Sequence, residues 1–176
     1  MSAPLPATNL VASAAASIVV VGCGNPAQGD DAAGLEVVRR LQAECNDTRC
    51  RFHTLTHAGV ELLDLLGAAE VLVIVDAMCT GAPAGSLHFL PFPTSMMGSA
   101  RPPLSGHDWD PFSILELAAA LGRHLPPVML LGIEIDAART GSALSDPVLR
   151  AVQTVVALFP ALVSRLLPRA ASAAPA

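Results

Sequence analysis

Lysine and tyrosine are missing altogether from these 176 residues, and aromatic side chains make up only 3% of them. Without lysine there is no Schiff-base nucleophile and no ammonium to grip a phosphate in a P-loop. Without tyrosine there is no phenolic acid–base chemistry. Basic residues number ten, all arginine, against 15 acidic ones, for a net charge of −5. That balance leaves no electrostatic footprint for nucleic acid or for an anionic membrane, so the expected partner is a protein or a small molecule. The four cysteines, Cys23, Cys45, Cys50 and Cys79, have no CxxC spacing and read as the reduced thiols of a cytoplasmic protein. The opening stretch has neither a basic nor a strongly apolar segment of the secretory kind, and no apolar run reaches the 18 or so residues of a membrane span.

What the chain does have is apolar residues, 52% of it, enough for one sizeable core. The expected organisation is a flexible extension over 1–16, a single α/β domain over 17–168 and a flexible tail over 169–176. Within the domain, short β-branched runs alternate with helical patterns. Strands are expected at Ser17 to Gly22, Cys50 to Leu55, Val71 to Asp76, Ser86 to Pro91 and Pro127 to Glu134. Continuous runs such as "VLVIVD" suit parallel strands buried on both faces. Only about ten residues separate the third strand from the fourth, too few for a parallel crossover, so the fourth is expected to lie antiparallel at an edge. Helices are expected over Gly34 to Glu44, Gly59 to Ala69, Pro111 to Leu125 and Ser145 to Leu167. The last opens with a cap-then-proline start, and Pro160 should kink or divide it. The expected fold is therefore a three-layer α/β/α arrangement around a five-stranded, mostly parallel twisted sheet.

Ligands in such sheets bind beyond the carboxyl ends of the strands. Three polar segments converge there: the loop with Asp30 and Asp31 after the first strand, Asp76 closing the third, and the long Pro- and Gly-rich loop that carries His107. One aspartate could cap the following helix, Asp76 could be a turn residue, and His107 could be a polar surface residue. Together, two carboxylates and an imidazole make a mixed oxygen and nitrogen site for a divalent metal such as nickel or zinc, with positions left open for metal-assisted hydrolysis. A nucleotide-binding module is the competing reading, since "GCGNPAQG" is glycine-rich. Its spacing is not GxGxxG, and paired carboxylates would repel a pyrophosphate.

The segments "GCGNPAQGDDAAG" from Gly22, "VDAM" from Val75, "LSGHDWD" from Leu104, "LLGIEI" from Leu130 and "ALSDPVLRAV" from Ala143 follow one another as in a known family. In this the chain resembles the hydrogenase maturation endopeptidases, which remove a C-terminal extension from the large subunit of nickel–iron hydrogenases. The resemblance implies that Asp31, Asp76 and His107 are the catalytic and metal-contacting residues. It implies nickel as the metal, carried by the precursor, with other divalent metals substituting in the apo-enzyme. The implied partner is a nickel-loaded large-subunit precursor; since the cleft must admit the precursor's terminus, a monomer is expected, cytoplasmic as the cysteines suggest. The resemblance also implies that Asp30 or the backbone shapes the turn, and Asn25 is expected to fix that turn by bonding its own backbone. A non-cleaving sensor of nickel in the precursor is the other reading of the same residues. The "THAG" segment departs from the family's glycine-rich turn, and its His57 is expected to be a surface residue. Ala32 replaces a frequent glycine. Cys23 and Cys79 are expected to be small buried hydrophobes. His53, His88 and His124 receive no role.

Overall fold

Ile18–Cys23 and Val71–Met78, the first and third strands, are buried along their whole lengths. In the computed structural model, which describes residues 18–56, 59–92, 111–136, 141 and 143–167, five strands form a single sheet. They are β1 (Ile18–Cys23), β2 (Cys50–Leu55), β3 (Val71–Met78), β4 (Leu87–Phe92) and β5 (Val128–Glu134). Their order is β2-β1-β3-β5-β4. Every pairing is parallel except that of β4 with β5, which is antiparallel and places β4 at an edge. This is the expected architecture, and the short β3–β4 connection is its cause.

The period of two in β1 and β3 sorts their side chains onto two faces. Ile18, Val20, Val71, Val73 and Val75 pack on one face with α1 (Ala33–Glu44) and α4 (Asp146–Leu166). Val19, Val21, Leu72 and Ile74 pack on the other with α2 (Val60–Leu66) and α3 (Pro111–Ala120). Each fully buried Val or Ile contributes about 2 kcal/mol by leaving water, and β1 and β3 together supply eight of the buried ones.

α4 is long and apolar enough to cross a membrane by length and composition. Its buried residues, Val148, Ala151, Val152, Val155, Phe159 and Val163, recur at helical spacing and lie in the core. It is a core helix of the sheet. It also runs through Pro160 as one helix, where the sequence led us to expect a kink or a division. Pro160 faces outward, so the carbonyl deprived of its amide partner can turn to water.

Several expected boundaries move. β1 and β3 extend one and two residues further, to Cys23 and Met78, while α2 and α3 stop earlier, at Leu66 and Ala120. Gly67 and Gly122 follow those ends, and Gly122 has the positive φ of a helix terminator. The flexible extension and tail expected over 1–16 and 169–176 lie outside the described residues.

Candidate active site at the carboxyl edge of the sheet

After β1 the chain turns at Gly24, whose φ of 141° suits glycine. A Cβ there would collide with the Asp31 carbonyl, so the turn folds back directly onto the segment that follows it. Asn25 accepts a bond from the amide of Ala27 on its own side-chain oxygen at 3.0 Å, the local bond expected of it. A 3-10 turn over Gly29–Ala32 then leads into α1. That helix fits tightly against the sheet. The Cα of Gly34 faces the Val75 carbonyl and the Cys23 backbone with no room for a methyl group. The first loop is thereby pressed against the end of β3.

The two aspartates of this loop part company. Asp31 is 1% exposed, and its Oδ2 accepts the amide of Asn25 at 2.9 Å. Asp30 points elsewhere, and its Oδ1 accepts the amide of Ser145 at 2.6 Å, ahead of α4. Neither caps α1, which has Ala32 at its N-cap position. Asp30 thus ties the first loop to the start of α4, a contact between distant segments where the sequence suggested a local role in the turn. The Asn25 amide, which a phosphate would need in a nucleotide-binding loop, is taken up by the Asp31 carboxylate.

Asp76 is 2% exposed near the end of β3, opposite Gly132 of β5. Its Oδ1 accepts the amide of Ala77 at 2.9 Å. By alternation it falls on the face covered by α2 and α3, beside Cys23. Burial first, and then the Asp76 charge, hold the Cys23 thiol well above its ordinary range. Cys79 is raised too, by burial and then by the charges of Glu134, Asp31 and Asp136. Both thiols are therefore poor nucleophiles near neutral pH. Cys23 is the small buried hydrophobe expected, whereas Cys79 is only half-buried, because it lies just past the end of β3 at the start of the loop.

His107 and His57 lie outside the described residues. In sequence, His107 comes four positions before Pro111, where α3 begins on the face that also carries Asp76. Among the described residues no group of three His, Cys, Asp or Glu side chains could hold a metal ion. What the described residues bring to one edge is a pair of buried carboxylates, hard oxygen donors of the type a borderline divalent metal accepts.

A third buried carboxylate at this edge was given no role in the sequence. Glu134 ends β5 and is 0% exposed. Its Oε1 accepts the amides of Thr80 and Gly81 at 2.6 and 2.9 Å. Its Oε2 meets the Thr80 hydroxyl at 2.8 Å and His88 Nε2 at 3.0 Å. Burial alone would push this carboxyl up, but the bonds from Thr80, Gly81 and His88 outweigh it and hold the pKa below the usual glutamate value. The available signal was the pattern of "VMLLGIE": an acid ending an apolar strand, just as Asp76 stands near the end of β3.

A parallel-sheet α/β protein with buried carboxylates at the carboxyl edge is the class that fold and site define. Residues 35–160 match the hydrogenase maturation protease family. The chain belongs to that family, whose members are peptidases. The matched residues include Asp76, His107 and Glu134, and begin just after Asp31. Among solved structures, the hydrogenase maturating endopeptidase HybD of E. coli is similar at 19% identity and a TM-score of 0.69, over 85% of this chain and 93% of that one. The hydrogenase 2 maturation peptidase of Thaumarchaeota archaeon SCGC_AB-539-E09 is 21% identical with a TM-score of 0.64, over 84% and 98%. The NiFe hydrogenase maturation protease HybD of Thermococcus kodakarensis is 23% identical with a TM-score of 0.64, over 83% and 98%. At these identities the likeness is one of fold. No curated protein sequence matches the chain significantly.

Proposed function

We propose that this protein is the endopeptidase that removes the C-terminal extension of a nickel–iron hydrogenase large-subunit precursor once nickel has been inserted. The observation that carries the reading is the union of family membership with two buried carboxylates, Asp31 and Asp76, at the ligand edge of the sheet. Asp31, Asp76 and His107 are the residues that engage the nickel borne by the precursor. The metal is then part of the substrate. Its engagement brings the adjoining peptide bond to the cleft and polarises the carbonyl for attack by water.

In this reading Asp31 is oriented by the Asn25 amide and Asp76 by the Ala77 amide, so both carboxylates are set before the precursor's metal arrives. Whichever carboxylate is not coordinated fully can accept the proton of the attacking water. Because recognition runs through the nickel, an empty precursor leaves the site without its anchor, and cleavage waits for metal insertion. The protein works as a cytoplasmic monomer whose cleft admits the precursor's terminus.

The test is cleavage of a nickel-loaded precursor from the same organism beside the nickel-free precursor, with His107→Ala as control. Cleavage of the loaded form alone, lost in the variant, is the expected result. Tight binding without any cleavage would instead make the protein a sensor of nickel loading. An Asp76→Asn variant that binds the loaded precursor but does not cut it would assign the general base to Asp76.

A further inference from the structure

The Glu134 network is not needed by the chemistry just proposed. Glu134 is completely buried, so it cannot touch a protein substrate. Four donors nevertheless converge on it, three of them from Thr80 and Gly81. These two residues follow Cys79 in the loop between β3 and β4, are exposed, and stand at the candidate edge because they continue directly from the carboxyl end of β3.

The far end of the same loop is fixed as well. The Gly85 amide donates to the Glu134 carbonyl at 2.8 Å, and the Glu134 amide to the Ser86 carbonyl at 2.9 Å. Gly85 has a φ of 85°, and a Cβ on it would meet the Pro147 carbonyl at 2.6 Å, so the loop rests against the first turn of α4. That turn is where Asp30 ties in the Asp31 loop. The Thr80–Gly81 surface is therefore held in register with Asp31 through two struts, Glu134 and the start of α4.

We propose that Glu134 is a positioning residue for precursor binding: it clamps the Thr80–Gly81 turn as a fixed wall beside Asp31, against which the precursor's extended terminus docks. This rests on the protease reading for the identity of the partner. Thr80 and Gly81 carry no acid or base, so what the clamp contributes is binding and not proton transfer. Its loss therefore appears in affinity and KM, and leaves kcat nearly unchanged. A glutamine at 134 keeps an oxygen for the two amides and an amide group for the Thr80 hydroxyl and His88, so it retains the clamp; an alanine retains none of it.

The experiment measures the Kd of nickel-loaded precursor, together with kcat and KM for its cleavage, for the wild type, Glu134→Ala, Glu134→Gln and Thr80→Val. We expect Glu134→Ala to weaken binding about tenfold with kcat within about threefold, Glu134→Gln to stay within about threefold of wild type, and Thr80→Val to weaken binding about threefold. Thr80 is exposed, so its variant folds and carries the test should Glu134→Ala fail to. Unchanged Kd in Thr80→Val and in a folded Glu134→Ala overturns the inference. So does a fall in kcat at unchanged KM. A wild type that binds the precursor without cutting it overturns the protease reading alone, because the binding comparison still decides the role of Glu134.

Discussion

The two ends of the sheet treat acidic residues in opposite ways. At the carboxyl edge, Asp31, Asp76 and Glu134 are at most 2% exposed, and each accepts at least one bond from a backbone amide. At the other end, a groove of about 820 Å³ between the end of α1 and α4 is lined by Arg40, Glu44, Asp47 and Arg49 among others. There Asp47 is grasped by the Arg49 guanidinium at 2.7 and 3.0 Å, with both side chains about 30% exposed. Arg40 is paired with Glu36 at 2.7 Å. A solvated ion pair satisfies itself and changes little when removed. A buried carboxylate held by amides is kept in one orientation. The first end is the kind of arrangement the proposed chemistry uses, and the second is a solvated ion-pair surface.

The sharpest way to break this contrast is to substitute Asp31. Asp31→Ala should lower precursor cleavage by about 10²-fold or more, measured as initial rate on the nickel-loaded form. Retention of wild-type activity would reduce the edge carboxylate to a turn fixture. Next in size is Gly34→Ala, which forces a methyl group onto the Val75 carbonyl and the Cys23 backbone. We expect a loss of about 3 kcal/mol in denaturant unfolding. A neutral result would mean that α1 does not press the first loop onto β3 as tightly as described.

A smaller effect concerns pH. The folded Glu134 titrates below its ordinary value of 4.5. Its contribution to stability is therefore present above that value and is lost as pH falls through the lower folded pKa. Glu134→Gln should flatten the acid side of the stability curve, read from melting temperature between pH 6 and pH 3 (roughly the window in which the unfolded carboxyl titrates). The smallest effect belongs to the opposite end of the sheet. Arg49→Ala should shift the melting temperature by no more than about 2 °C and leave cleavage unchanged. A large loss of activity there would erase the distinction between the two ends.

Much of this was legible in the chain. The strand runs were readable because burial on both faces demands unbroken Val and Ile, and the antiparallel placement of β4 followed from a connection too short to cross over. Asn25 announced its turn, since its side chain bonds a residue two positions away. Pro160 misled in part, because its cost depends on whether the deprived carbonyl meets water, which is a property of the folded surface. Glu134 and His88 went unread for a related reason. They stand 46 residues apart, and only the antiparallel register that sets His88 opposite Gly132 brings their side chains to 3.0 Å. The resemblance singled out Asp31 over Asp30, but the partners that separate them, Asn25 for Asp31 and the distant Ser145 for Asp30, were not readable from the chain.

By itself, then, the sequence determined the alternation of strands and helices, the acidic character of the ligand edge and the family to which the motifs belong, because these rest on local periodicity and on residues a few positions apart. Only the tertiary structure decided that Asp31 is bound to the Asn25 amide while Asp30 reaches Ser145, that the two nearby thiols titrate above their ordinary range, and that Glu134 anchors the β3–β4 loop. Those outcomes depend on burial and on hydrogen bonds between segments distant in the chain, and neither is encoded in any single stretch of it.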